Sequence, residues 1–125
     1  MKWYEDMVLP DGEAGFVIEA AKEESSKKGN LYLATRLRVI AEDGECATVF
    51  HNEFQRNFKK LLISVGHDVE GQREGDFEPA DLVGETGRCR IGTEEYEGKT
   101  RNKVMEWLPQ LPAMHQEQDK DDIPF

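Results

Sequence analysis

Long apolar runs are missing from this 125-residue chain. None approaches the roughly 18 residues that a membrane-spanning helix requires, and no charged-then-apolar leader opens the sequence. The protein is therefore expected to be soluble and to stay where it is made. Cysteine is scarce: Cys46 and Cys89 are the only two, with no Cys-x-x-Cys pair. Such isolated thiols fit a reducing cytoplasm, with a bridge between strands as the alternative. The three histidines, His51, His67 and His115, are scattered, and no two share ligand spacing on one element, so no metal is expected. A phosphate-cradling Gly-Lys-Ser/Thr loop is absent. Ser25, Ser26 and Ser64 lack a nucleophile's surroundings, and the glutamates are spread over exposed positions. Neither an enzyme nor a cofactor is expected.

Positive charge is also in deficit, with 16 Lys+Arg against 26 Asp+Glu and a net charge of −10. A uniformly acidic surface repels phosphate, so the average alone argues against nucleic acid. The distribution argues otherwise. Residues 1–24 carry −5, residues 65–85 carry −6, residues 104–114 carry −1 and residues 115–125 carry −3. Residues 25–64 carry +3 and residues 86–103 carry +2. Two basic islands thus lie between acidic stretches.

What is present reads as one small domain. Apolar residues make up 38% of the chain, enough for a core once the 11 glycines are counted. Gly15–Ala21 predicts a first strand, with Phe16, Ile18 and Ala20 on one face. The polar loop from Lys22 to Asn30 leads into the clearest period-2 segment, Leu31–Ala41. Its alternation places Leu31, Leu33, Thr35, Leu37 and Val39 on one face and Tyr32, Arg36 and Arg38 on the other. Asp43-Gly44 marks a tight turn before a third strand, Cys46–Phe50. The period then changes to 3.6: Phe54, Phe58, Leu61, Leu62 and Val65 form one helical stripe, with Asn52 and Gln55 able to cap its start. Residues 67–81 read as an acidic loop, Leu82–Thr93 as a fourth strand, and Lys99–Trp107 as a fifth after a turn at Tyr96-Glu97-Gly98. On that last strand, alternation puts Lys99, Arg101, Lys103, Met105 and Trp107 on one face.

Strand, strand, strand, helix, strand, strand is the element order of a five-stranded OB-type barrel, in which a helix plugs one end between strands three and four. The predicted fold is thus mainly β. Residues 1–108 form the OB-type nucleic-acid-binding domain, and 109–125 a disordered acidic tail in which two early prolines and polar residues preclude a core.

Single-strand binders combine a positive groove with aromatic rings on which bases stack. The candidates here are Tyr32, Arg36 and Arg38 on the second strand, Arg88 and Arg90 on the fourth, and Lys99, Arg101 and Lys103 on the fifth. Lys22, Lys27, Lys28 and Tyr96 join them from the loops that line an OB groove. Basic residues also alternate outward on any half-exposed strand, which is the competing structural reading. Phe50 and Phe54 are further candidates for stacking, although Phe54 falls on the helical stripe and is expected in the core. Trp3, Tyr4 and Trp107 lie near the domain's ends, where aromatics more often close a barrel than bind bases. The terminus has its own logic. Asp119, Asp121 and Asp122 steer towards basic surfaces, and Ile123, Pro124 and Phe125 supply an apolar tip with a terminal carboxylate that an arginine can hold.

Asp-Asp-Ile-Pro-Phe at 121–125 resembles the extreme C-terminus of bacterial single-stranded DNA-binding proteins, where that tip docks replication and repair enzymes. The body resembles phage-encoded OB-type proteins over roughly residues 13–107. The phrases that carry this likeness are Glu13-Ala-Gly-Phe-Val-Ile-Glu-Ala-Ala-Lys22, Ser26-Lys-Lys-Gly29, Leu31-Tyr-Leu-Ala-Thr-Arg-Leu37, Leu82-Val-Gly84 and Tyr96-Glu-Gly-Lys-Thr-Arg-Asn-Lys-Val104. Bacterial members carry a longer linker before the tip and more base-stacking tryptophans than this chain has. The resemblance implies a protein that coats single-stranded DNA without sequence preference during phage replication or recombination. It would act in the cytoplasm of the infected bacterium, possess no catalytic activity and recruit partner enzymes through its tip. It would also have the capacity to self-associate. The alternative is an adaptor that occupies host tail-binding pockets without touching DNA.

Overall fold

The computed structural model describes residues 1, 3 and 7–109. Five strands and one short helix follow one another as β1 (Gly12–Ser25), β2 (Leu31–Ile40), β3 (Cys46–Phe54), α1 (Phe58–Ser64), β4 (Thr86–Tyr96) and β5 (Lys99–Leu108). All strand pairs are antiparallel, in the order β3-β2-β1-β4-β5. The predicted mainly β class, with the helix between strands three and four, agrees with this arrangement. The tail, including Asp119 to Phe125, and Tyr4 lie outside the described residues.

Turn chemistry sets the hairpins. At the β4–β5 connection Glu97 and Gly98 both have positive φ, 51° and 80°, the backbone of a two-residue primed turn. Between β2 and β3, Gly44 at φ 92° closes the loop, and Glu45 N–H donates to Asp43 Oδ1 at 3.0 Å. Inward positions alternate as β-periodicity requires. Phe16 and Ile18 from β1, Leu33, Leu37 and Val39 from β2, and Ala47 and Val49 from β3 form one wall of the core. Cys89 and Ile91 on β4 and Trp107 on β5 form the other. α1 covers one end through the fully buried Leu61, and Ser64 Oγ donates to the Arg88 carbonyl at 2.8 Å.

The sheet is not closed: β3 and β5 are its edges, and no backbone ladder joins them. Side chains bridge the gap instead. Trp107 Nε1 donates to Glu53 Oε1 at 2.5 Å, and the Trp107 ring meets His51 and Phe16 edge-on at 5.3 and 5.2 Å. On the far side of the core Asn102 clips the N-terminal segment. It accepts from Leu9 N–H at 2.8 Å and donates to Leu9 O at 2.9 Å and Gly92 O at 3.1 Å.

Several expectations are corrected. β1 runs on to Ser25, so Lys22 lies on that strand and not in the loop after it, and past the bulge between Ile18 and Ala20 it is Ala21 that packs on the core. Leu82 closes a 3-10 turn (Pro79–Leu82), and β4 begins only at Thr86. The helix does not begin at Phe54: β3 runs on to that residue, a single 3-10 turn (Gln55–Asn57) follows, and α1 starts at Phe58. Phe54 is held in register opposite Tyr32, and that cross-strand pairing overrides the helical spacing. The Asn52–Gln55 cap does not form, since neither the 3-10 turn nor α1 has a side-chain cap hydrogen bond. Nor do Lys99, Arg101, Lys103, Met105 and Trp107 share a face. Arg90 pairs with Glu106 but Ile91 pairs with Val104, so Met105 is an extra, bulged residue. One added residue inverts the alternation beyond it. The cations therefore face outward while Trp107 is buried. Both cysteines are free thiols, so no inter-strand bridge exists. Burial pushes the Cys89 thiol up to about 12, against the opposing pull of Arg88.

Candidate nucleic-acid interface

The outer face of β1–β2–β3 gathers aromatic and cationic side chains in cross-strand pairs. Tyr32 sits opposite Phe54, their rings 6.2 Å apart and tilted at 54°. Two rungs along, Arg36 lies opposite Phe50, and Arg38 lies opposite Thr48. Phe50 is 72% exposed, an unusual cost for a large apolar ring with no partner from the core. Arg56, from the turn after β3, places its guanidinium 6.0 Å from the Phe54 ring centroid. Phe54 is 46% exposed, so the expectation that it belongs to the core fails, and Arg56 joins the face without having been foreseen as a site residue.

Phe54 is propped from beneath. Its neighbour Glu53 points inward, its side chain 7% exposed, and Phe54 N–H donates to Glu53 Oε2 at 3.0 Å. His51 Nε2 lies 3.1 Å from Oε1, and Asn57 Nδ2 donates to Oε2 at 3.2 Å. Burial would raise the Glu53 carboxyl, but the donors from His51, Trp107, the Phe54 amide and Asn57 together hold it at about 2. A charged carboxylate with every oxygen engaged fixes the end of β3 and the entry to α1, and so the attitude of the ring above it.

The β4–β5 side has a different character. Arg88 pairs with Glu13 across the β1–β4 ladder, and Arg90 pairs with Glu106 across β4–β5. Arg101 Nε lies 2.7 Å from Glu94 Oε2 and its guanidinium stacks 3.9 Å from the Tyr96 ring centroid. Hydrogen bonding to Glu106 raises Arg90 further and to Arg90 lowers Glu106, each reinforced by the partner's charge. Three arginines named from the sequence are thus already matched by carboxylates. Lys22 pairs with Glu24 at 3.1 Å, whereas Lys27, Lys28, Lys99 and Lys103 form no ion pair among the described residues. The sequence-named arginines therefore divide between two surfaces: Arg36 and Arg38, which share the Glu19 carboxylate at 3.5 and 3.8 Å, stand on the face that carries Tyr32 and Phe50, while Arg88, Arg90 and Arg101 are paired in the wing.

A cleft of about 410 Å³ lies between α1 and the 69–77 segment, with Phe58 and Phe77 stacked edge-on at 5.3 Å on its wall. Its charges are mixed, Lys59 and Arg73 against Glu74 and Asp76, so it offers a polyanion no consistent field. Among the described residues no group of three His, Cys, Asp or Glu side chains converges as a metal site would require. No helix there is long and apolar enough to cross a membrane.

No protein-family model matches this chain, and no curated protein matches it either.

Proposed function

We propose that this protein is an OB-type single-stranded nucleic-acid-binding protein whose ligand lies across the outer face of β2 and β3. The observation that carries the reading is the ladder of exposed rings interleaved with guanidiniums: Tyr32 with Phe54, and Phe50 with Arg36. Unpaired bases present π-faces to which such rings are complementary, and each stack contributes about 1–3 kcal/mol without regard to sequence. Arg36, Arg38 and Arg56 stand where a sugar–phosphate backbone threading between those bases would pass. The β1–β2 loop adds Lys27 and Lys28 at one end of the face. The partly open five-stranded sheet with a helix at one end supports the OB-type assignment.

In this reading the protein coats single-stranded DNA during phage replication or recombination, in the cytoplasm of the infected cell and without catalysis. The Asp121–Phe125 tip recruits partner enzymes. Equilibrium titration of a fluorescein-labelled oligo-dT, followed by anisotropy, tests the body. Binding should be clear at 20 mM salt and fall steeply by 300 mM, because phosphate contacts release counterions. Absence of binding at 20 mM salt would overturn the reading in favour of a protein adaptor. Pull-down of replication and repair enzymes with the full chain, but not with a chain lacking residues 116–125, tests the tip.

A further inference from the structure

One carboxylate stands among the arginines of the proposed face. In β1, Ile18 pairs with Leu37 and Ala20 pairs with Arg36, which leaves Glu19 as an extra residue at a β-bulge. Bulges re-aim a side chain, and they are over-represented beside functional sites. Alternation from Phe16 and Ile18 already places Glu19 on the outer face, and the bulge leaves it without a cross-strand partner of its own, beside Arg36. Its Oε1 lies 3.5 Å from Arg36 Nε and its Oε2 lies 3.8 Å from Arg38 Nε. The carboxylate thus sits between two guanidiniums, and Phe50 stands exposed on the next strand opposite Arg36.

We infer that Arg36 and Arg38 form a clip for a single backbone phosphate, which Glu19 occupies until a strand arrives. This rests on the reading of the face given above and deepens it. Carboxylate and phosphate offer arginine the same kind of anionic oxygens, so one anion can stand in for the other. The contacts suit a displaceable occupant. Glu19 holds each arginine at ion-pair distance, beyond the usual range of a charge-assisted hydrogen bond. Arg36 remains half exposed, so its pairing with Glu19 is weakened by solvent. A backbone phosphodiester carries the same single charge on two free oxygens as the carboxylate, and the strand that brings it gains in addition the Phe50 ring for the neighbouring base. Binding then swings Glu19 aside. Glu19 also keeps the two arginines aligned while the face is empty, and it rejects a strand that cannot place a phosphate there.

The test is a double-mutant cycle read by oligo-dT anisotropy at low salt, with Glu19→Gln, the Arg36→Gln/Arg38→Gln pair and the three changes combined. Glu19→Gln should tighten binding about five- to tenfold, the yield of removing two half-screened ion pairs. Glu19→Asp, with a shorter reach, should give a smaller gain. In the Arg36→Gln/Arg38→Gln background the gain from Glu19→Gln should vanish. An equal gain in both backgrounds would assign the effect to overall charge and overturn the clip. Unchanged or weakened binding by both Glu19 variants, with circular dichroism matching the parent, would overturn it as well. If the parent binds and only these outcomes fail, the proposed face stands without the clip. If neither the parent nor any variant binds, the nucleic-acid reading fails and the clip with it.

Discussion

Trp107 on β5 donates its indole N–H to the inward carboxylate of Glu53 on β3, and this single bond spans the two edges that backbone hydrogen bonding leaves unjoined. Glu53 accepts from four donors and is held at about 2 instead of 4.5. A carboxylate whose folded value is depressed stabilises the fold fully above its unfolded value, and that stabilisation fades as the pH falls from 4.5 towards 2. Glu53→Gln cannot accept from all four donors and should destabilise the protein by about 2 kcal/mol at neutral pH. Denaturant titrations from pH 7 to pH 2 should show the two proteins converging at the acid end. A gap that stays constant over that range would exclude this role for the charge.

Asn102 should behave as a clip for the N-terminal segment. Asn102→Asp keeps the acceptor for Leu9 N–H but loses both donors, to Leu9 O and Gly92 O. The expected cost is about 1–3 kcal/mol, the range for leaving buried polar groups unsatisfied. Amide exchange at Leu9 should accelerate well beyond that of the core strands.

Gly87 and Gly92 separate two kinds of crowding. A methyl group at Gly87 would lie 2.7 Å from Phe16 Cζ and 2.7 Å from the Ser64 carbonyl oxygen, neither able to move without disturbing the core. Gly87→Ala should therefore cost about 1–3 kcal/mol. At Gly92 the nearest atoms belong to the flexible Met105 side chain, 3.0 Å away, so Gly92→Ala should cost clearly less. Thermal unfolding of the two variants side by side checks the ranking.

The aromatic face makes a contrast with the arginine wing. Phe50→Ala and Phe54→Ala should each lower oligo-dT affinity by an amount matching about 1–3 kcal/mol per lost stack. Arg88→Gln and Arg90→Gln should change it much less, because both cations are already paired with carboxylates. Unfolding midpoints of the Phe50 variant should stay near the parent's, since that ring is mostly exposed.

Alternation was a reliable guide where the ladder is regular. It sorted β2 into Leu33, Leu37 and Val39 inward and Tyr32, Arg36 and Arg38 outward, as the structure has them. It failed where one residue interrupts the register. Beyond Glu19 it is Ala21 and not Ala20 that packs on the core, and beyond Met105 it is Trp107 that turns inward, shifts that no residue type announces. The ion pairs of Arg88, Arg90 and Arg101 were hidden for a related reason. Their partners Glu13, Glu106 and Glu94 are neighbours only across strands, and register is what identifies them. Phe54 was misread because its spacing to Phe58 is one helical turn, while its actual neighbour, Tyr32, lies 22 positions earlier in the chain.

The bulge at Met105 also divides β5 into two stretches that answer to different demands. From Lys99 to Lys103 the strand follows the hairpin arm's alternation, and from Glu106 to Leu108 it follows the barrel's. Deleting Met105 would leave Lys103 and Glu106 outward and Val104 and Trp107 inward in plain alternation, so the ladder could close up without any side chain changing face. The arm can thus accumulate changes in charge while the barrel's packing stays intact, and the bulged residue is the one position of β5 that the ladder itself does not need.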